Sequence, residues 1–140
     1  MGLELNREEN IITNYETLDD IDVDIRLRYS TTFRCTDGHY VRSKNEVIID
    51  NWLYERGIVH IYEKKVIGEN IICDFYLRSK DGNAIYIEVW GLDTDQYKKR
   101  KKEKIDFYLK NKLNLINITD VNIRNIDDFL EVELKKYKLI

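Results

Sequence analysis

The stretch "CDFYLRSKDGNAIYIEVWG", from Cys73 to Gly91, constrains this chain more than any other. Two apolar, β-branched and aromatic runs flank a turn, and each is interrupted by one carboxylate, Asp74 or Glu88. Carboxylates are depleted from strands, and an unpaired buried charge is expensive. Two hairpin registers are available. A two-residue Asp81-Gly82 turn pairs Lys80 with Asn83, sets Asp74 opposite Val89 and sends the carboxylates to opposite faces. A three-residue Lys80-Asp81-Gly82 loop, with Gly82 in the left-handed bulge position, pairs Ser79 with Asn83 and Asp74 with Glu88. Alternation chooses between them. Ile71, Cys73, Phe75, Leu77, Ile85, Ile87 and Val89 are all apolar, and only the three-residue loop keeps them on one face, predicted to be core. Ile72, Asp74, Tyr76, Tyr86, Glu88 and Trp90 then share the other face. Opposed Cβ atoms lie about 4.5–5.5 Å apart, so the two carboxylates need a proton or a cation between them. Oxygen-only ligation of this kind suits Mg²⁺ or Mn²⁺. A structural network with lysines of the later basic helix meets the same need.

The remaining pattern frames this hairpin. "SKNEVIIDNWLYERG" predicts a helix from Ser43 to Arg56 stopped by Gly57, and "IVHIYEKKVI" a strand from Ile58 to about Ile67. "TDQYKKRKKEKIDFYLKNK" predicts a long helix, "LNLINI" (Leu113–Ile118) a short strand, and "IDDFLEVELKKY" a final helix with Ile126, Phe129, Leu130, Leu134 and Tyr137 at helical spacing. "DVDIRLRY" (Asp22–Tyr29) alternates with period two and reads as a further strand. The core order α-β-β-β-α-β-α predicts an α/β fold, a mixed sheet flanked by helices. At 140 residues, without proline, repeat or low-complexity linker, the chain reads as one domain (34–140) with an N-terminal extension (1–33) packed on it. No apolar run is long enough to span a membrane and no signal-peptide pattern opens the chain. Two irregularly spaced cysteines, Cys35 and Cys73, make neither a disulfide framework nor a zinc motif. A reducing cytoplasm is the expected setting.

The net charge of −3 does not advertise nucleic-acid binding, but its distribution is uneven. An acidic block occupies much of residues 1–24, whereas "YKKRKKEK" (Tyr97–Lys104) concentrates cations beyond what pairing with Glu103 and Asp106 requires. Such a run suits phosphate-backbone contact without reading sequence. Lys98, Lys99 and Lys102 are the candidates there, with Arg42 and Lys44 at the start of the first helix.

With Glu46 added, the line "HYVRSKNEVIIDNWLYERGI…YEKKV…CDFYL…IYIEVWGLDTDQYKKRKKEK" resembles the PD-(D/E)XK nuclease superfamily over roughly Asp37 to Ile118. The resemblance rests on the ordered set rather than on one motif. It implies a restriction-endonuclease-like core that cleaves a DNA phosphodiester with Mg²⁺ or Mn²⁺. Asp74 and Glu88 would hold the metal with the Val89 carbonyl as a third ligand, and Glu46 would reach the site directly or through a water. The superfamily's usual lysine, two residues after the glutamate, is Trp90 here. The following helix offers substitutes: Tyr97, Lys101, Lys104 and Tyr108 share one helical face, with Lys104 the first candidate, Lys101 the second and Arg100 near enough to contribute. Glu63 falls where the family has a glutamate on the first strand. The departure at Trp90 leaves a second reading, a catalytically inactive nuclease-fold module that binds nucleic acid or a partner. A third is an accessory subunit of a helicase or other motor. Cutting both strands would call for two sites, hence a homodimer.

Plainer readings stand beside these. Ser43-x-x-Glu46 is a capping box in which Glu46 bonds back to the Ser43 backbone. Asp50, one turn on, reads as solvated. His39 and His60 read as isolated structural or surface histidines. Glu63 fits an edge salt bridge, and Tyr76, Tyr86 and Trp90 fit packing beneath a neighbouring helix.

Overall fold

The computed structural model describes residues 30–66, 71–91 and 94–140. The strand predicted at Asp22–Tyr29 and the packing of the N-terminal extension lie outside the described residues. A two-residue ribbon of β1 (Phe33–Arg34) and β2 (Tyr40–Val41) precedes α1 (Lys44–Glu55). Then follow β3 (Ile61–Lys65), β4 (Ile72–Arg78), β5 (Ala84–Trp90), α2 (Asp95–Lys110) and β6 (Asn114–Thr119). The chain closes with a one-turn α3 (Asp120–Ile123) and α4 (Ile126–Lys136). The strands form one mixed sheet in the order β3-β4-β5-β6, antiparallel except for the β5–β6 pair that α2 connects. The α/β class and the core order agree with expectation; the ribbon and α3 are additions.

Side-chain period explains the layers. Phe75, Leu77, Ile85, Ile87, Ile116 and Ile118 form one face, covered by Ile49, Trp52 and Leu53 of α1 and by Leu130 and Leu134 of α4. The opposite face is not wet. Tyr76 and Tyr86 are buried there beneath Tyr108 of α2, together with Val66 and Ile71. Ile71 and Cys73 depart from the predicted alternation, since they pack with this second cluster rather than with Phe75. The alternation changes where the β3–β4 ladder is interrupted. Tyr62 pairs with Phe75 and Lys64 with Cys73, but no Glu63–Asp74 pair lies between them, and Glu63 takes φ 54°.

The hairpin adopts the three-residue loop. Ser79 N–H donates to the Asn83 carbonyl at 2.9 Å and Gly82 N–H to the Ser79 carbonyl at 2.9 Å. Gly82 has φ 86°, a region that costs an L side chain about 1–2 kcal/mol. The ladder runs from Arg78–Ala84 to Phe75–Ile87 and stops there, so the expected Asp74–Glu88 pair does not form within it.

Three helices end alike. At α1, Gly57 (φ 70°) donates to the Tyr54 carbonyl and Ile58 to that of Leu53, the double bond of a Schellman stop. At α2 and α4 the same bonds form with lysine in the glycine position, Lys112 (φ 54°) and Lys138 (φ 58°). Lys112→Gly should therefore stabilise the chain by about 0.5–1 kcal/mol, the relief of left-handed strain less the larger entropy of an unfolded glycine. Gly82→Ala should cost about 1–2 kcal/mol. Urea unfolding of the two variants checks both signs.

Candidate active site

Glu88, in the middle strand pair, is 1% exposed, and its neutralising partners come from α2. Lys104 Nζ lies 3.1 Å from Glu88 Oε1 and 3.0 Å from Oε2, and Tyr108 donates its hydroxyl to Oε2 at 2.6 Å. Lys104, equally buried, also donates to the Ile72 carbonyl at 2.7 Å. One ammonium thus ties α2 to both β4 and β5. A buried ion pair is tolerated when further hydrogen bonds satisfy its members, and these contacts meet that condition.

Asp74 sits where the ladder opens on both sides. Its β3 neighbour is the left-handed Glu63, and on the β5 side Val89 N–H donates at 2.7 Å to Asp74 Oδ2. The strand backbone therefore orients this carboxylate. Left-handed backbone at a non-glycine residue costs about 1–3 kcal/mol and persists only where its surroundings hold it. Arg42 supplies that hold, with Nε and Nη2 on Glu63 Oε2 and Oε1 at 2.7 and 3.1 Å.

Glu46, 6% exposed, projects from the first turn of α1. Ser43 caps the helix by accepting Glu46 N–H at 3.2 Å. The side chain reaches one residue further back than predicted, accepting the Arg42 amide at 3.1 Å and the Tyr62 hydroxyl at 3.2 Å.

Three phenols mark how these charges converge. Burial, with Glu46, Glu63 and Asp74 adding, pushes Tyr62 well above its ordinary value. Burial raises Tyr97 to about 12, Arg100 opposing and Asp74 and Glu88 assisting. Burial followed by Glu88 and Asp74 raises Tyr108 further still. Asp74 contributes to all three shifts. Burial and the same Glu88 and Asp74 push the Cys73 thiol up to about 12, so it stays protonated.

The basic helix divides its cations. Tyr97, Arg100, Lys104 and Tyr108 form the buried stripe, with Arg100 in the place predicted for Lys101. Lys101 is half-buried, its Nζ 5.5 Å from the Trp90 ring centre. Arg100 stacks between Tyr97 and Trp90 at 4.9 and 5.7 Å. Trp90 itself is buried and donates its indole N–H to Asn117 Oδ1 at 2.7 Å. Lys44, Lys98, Lys99 and Lys102 are exposed, whereas Arg42 is held by Glu63.

A second constellation was missed in the sequence. Asp50 is not solvated but wholly buried, and His39 and His60 are not isolated. Asp37, His39, Asp50 and His60 bring one ligand-capable atom each within 4.8 Å of one another, and they form the group of this kind found among the described residues. Glu46, Asp74 and Glu88 are not gathered that tightly. Burial opposes ionisation of Asp50, yet contacts with His60, Asp37 and His39 hold it down to about 2. Burial also disfavours a charged His60, and the Asp50 contact overrides it, raising His60. The signal available was i, i+4 spacing: Asp50 follows Glu46 by four residues and faces the same side of α1.

Lys104→Met should leave Glu88 buried without its cation and cost about 3–5 kcal/mol in urea unfolding. Adding Glu88→Gln to that variant should recover more than half of the loss, because no buried charge then remains.

Among the described residues no helix is long and apolar enough to cross a membrane. An uncharacterized protein of Methanocaldococcus jannaschii is 30% identical over 89 residues, 61% of this chain and 8% of that protein. The chain therefore spans 8% of the length of the curated relative it matches. No family model matches the chain, and no solved structure matches it significantly.

Proposed function

We propose that the chain is a metal-dependent DNA endonuclease of the PD-(D/E)XK kind, with a restriction-endonuclease-like core. The observation that favours this reading most is Lys104 from α2 seated on Glu88, which, like Asp74, comes directly after the last β4–β5 pair, Phe75–Ile87. It supplies from the next helix the cation that Trp90 cannot. The donor chemistry suits a hard ion: Asp74, Glu88 and Glu46 are buried and offer only oxygen. Asp74 and Glu88 would hold Mg²⁺ or Mn²⁺, with Glu46 and the Val89 carbonyl as further oxygen donors. Once bound, the ion supplies Lewis acidity toward the phosphate and lowers the pKa of water.

The chain's own groups do the rest. Val89 N–H fixes the Asp74 rotamer, and Tyr108 and Lys104 fix that of Glu88. Glu46 accepts a proton from the attacking water as its oxygen bonds to phosphorus and the bond to the leaving oxygen breaks. Lys104 offsets charge that accumulates on the phosphoryl oxygens, and Arg100, buried on the same stripe of α2, is an additional cation. Lys44, Lys98, Lys99 and Lys102 provide sequence-independent backbone contact. Arg42 is occupied with Glu63 and is better read as positioning that strand.

Trp90 favours a second reading. Buried and hydrogen-bonded at the position of the usual lysine, it suits a nuclease-like module that binds DNA, or serves a helicase or other DNA-processing partner, without cutting.

The test is a Mg²⁺ and Mn²⁺ cleavage panel on linear, nicked, flapped and four-way DNA. The wild-type chain should cut at least one substrate, and Asp74→Asn should reduce the rate by about 10²-fold or more while keeping its circular-dichroism spectrum. Saturating Mg²⁺ at about 100 times Kd should stabilise the wild type by roughly 2.7 kcal/mol and Asp74→Asn much less. Cleavage by Asp74→Asn at the wild-type rate removes the assignment. DNA binding with neither cleavage nor metal-linked stabilisation establishes the second reading.

A further inference from the structure

We infer that Asp37, His39, Asp50 and His60 form a separate transition-metal site, of the Zn²⁺ class, that fastens the β1–β2 ribbon to α1 and to the strand entry. Four donor atoms converge there from three parts of the chain. His39 Nδ1 lies 2.8 Å from Asp50 Oδ2 and 3.0 Å from Asp37 Oδ2. His60 Nε2 lies 3.1 Å from each of the same two oxygens. Four donors about 2.0–2.1 Å from a tetrahedral zinc stand roughly 3.3 Å apart. The four histidine–aspartate spacings are slightly inside that value, and all four donors lie within 4.8 Å of one another, so modest adjustment of the side chains would seat an ion.

Two further observations separate this group from an ordinary hydrogen-bonded cluster. First, the His60 side chain is 4% exposed, yet its buried Nε2 makes a hydrogen bond to neither oxygen although both are in range. The nitrogen is equidistant from the two, an ion-pair contact shared by both carboxylates rather than the well-aligned partner of either. Asp50 Oδ1, on a fully buried side chain, likewise has no hydrogen-bond partner among the described residues. A network of protons would normally satisfy such atoms. Second, the outer contacts are those that prepare ligands. His60 Nδ1 sits 2.8 Å from the Ile58 carbonyl, which fixes Nδ1 as a donor and turns Nε2, whose proton an ion would displace, toward the centre. Asp37 Oδ1 accepts the His39 amide at 3.0 Å, turning Oδ2 inward.

The donor set selects the ion. Two imidazoles with two carboxylates suit Zn²⁺ and its neighbours, whereas Mg²⁺ prefers oxygen and retained water. Closed by four protein donors, the site reads as structural rather than hydrolytic. The His39 side chain, 41% exposed, leaves a path for entry. Asp50 and Glu46 are one turn apart on α1, so an ion here would also set the rotation of the helix that presents Glu46. The site itself does not depend on the nuclease reading.

The full chain, stripped with chelator and dialysed, should take up one equivalent of Zn²⁺ in calorimetry with excess Mg²⁺ present, and its melting temperature should rise. His39→Ala, altered at the exposed ligand, should weaken uptake by about tenfold or more and abolish the thermal shift. Asp74→Asn should keep both, which separates this site from the carboxylate cluster. Absence of saturable Zn²⁺ uptake by the wild type, or equal uptake by His39→Ala, overturns the inference.

Discussion

The ion pair between Glu88 and Lys104 is the contact on which the middle of this molecule depends. A carboxylate in the central strand pair, 1% exposed, is compatible with a folded sheet only if a cation is buried beside it. Lys104 provides that cation, Tyr108 adds a hydroxyl, and the Ile72 carbonyl takes a further ammonium proton. The position of α2 is thereby coupled to β4 and β5 through charge as well as through the tyrosine packing of Tyr76, Tyr86 and Tyr108. Apolar packing alone would let the helix slide or rotate at modest cost. An ammonium obliged to meet both oxygens of one carboxylate specifies its rotation.

Against this rigid centre, Asp74 occupies a place where regular pairing has been relaxed. The missing Glu63–Asp74 pair, the left-handed Glu63 and the bond from Val89 N–H to a side chain are three aspects of one local opening. The sheet gives up ladder regularity and gains an oriented carboxylate. Helix α1 has an analogous double role. Its buried apolar stripe seals one face of the sheet, while Glu46 and Asp50, one turn apart, face two different polar groups. Burying two carboxylates on one short helix is costly unless each has dedicated partners. Glu46 has Arg42 N–H and the Tyr62 hydroxyl, and Asp50 has the two histidines.

Much of this was legible in the order of residues, and the hairpin shows why. Period-two alternation and a Lys-Asp-Gly loop are local properties, so the loop and the register from Arg78–Ala84 to Phe75–Ile87 could be derived without knowing what surrounds them. The limits of α1 were similarly accessible through Ser43 and Gly57. The face of α2 was half legible. Helical spacing brought Tyr97, Lys104 and Tyr108 together, but Arg100 and Lys101 lie on neighbouring flanks of that stripe, and only the seat provided by Trp90 and Tyr97 decides for Arg100. The buried histidine pair was not legible, since Asp37, His39, Asp50 and His60 belong to a loop, a helix and a strand entry with no shared period.

The sequence by itself determined the elements, the hairpin register and the requirement that two sheet carboxylates be neutralised, because propensity, alternation and turn chemistry act between near neighbours. The tertiary structure decided which lysine answers that requirement, that alternation fails at Ile71 and Cys73, and that Asp50 is buried between two imidazoles. Those outcomes depend on how separate elements rotate and dock, a matter of long-range packing and of charge balance in places that water does not reach.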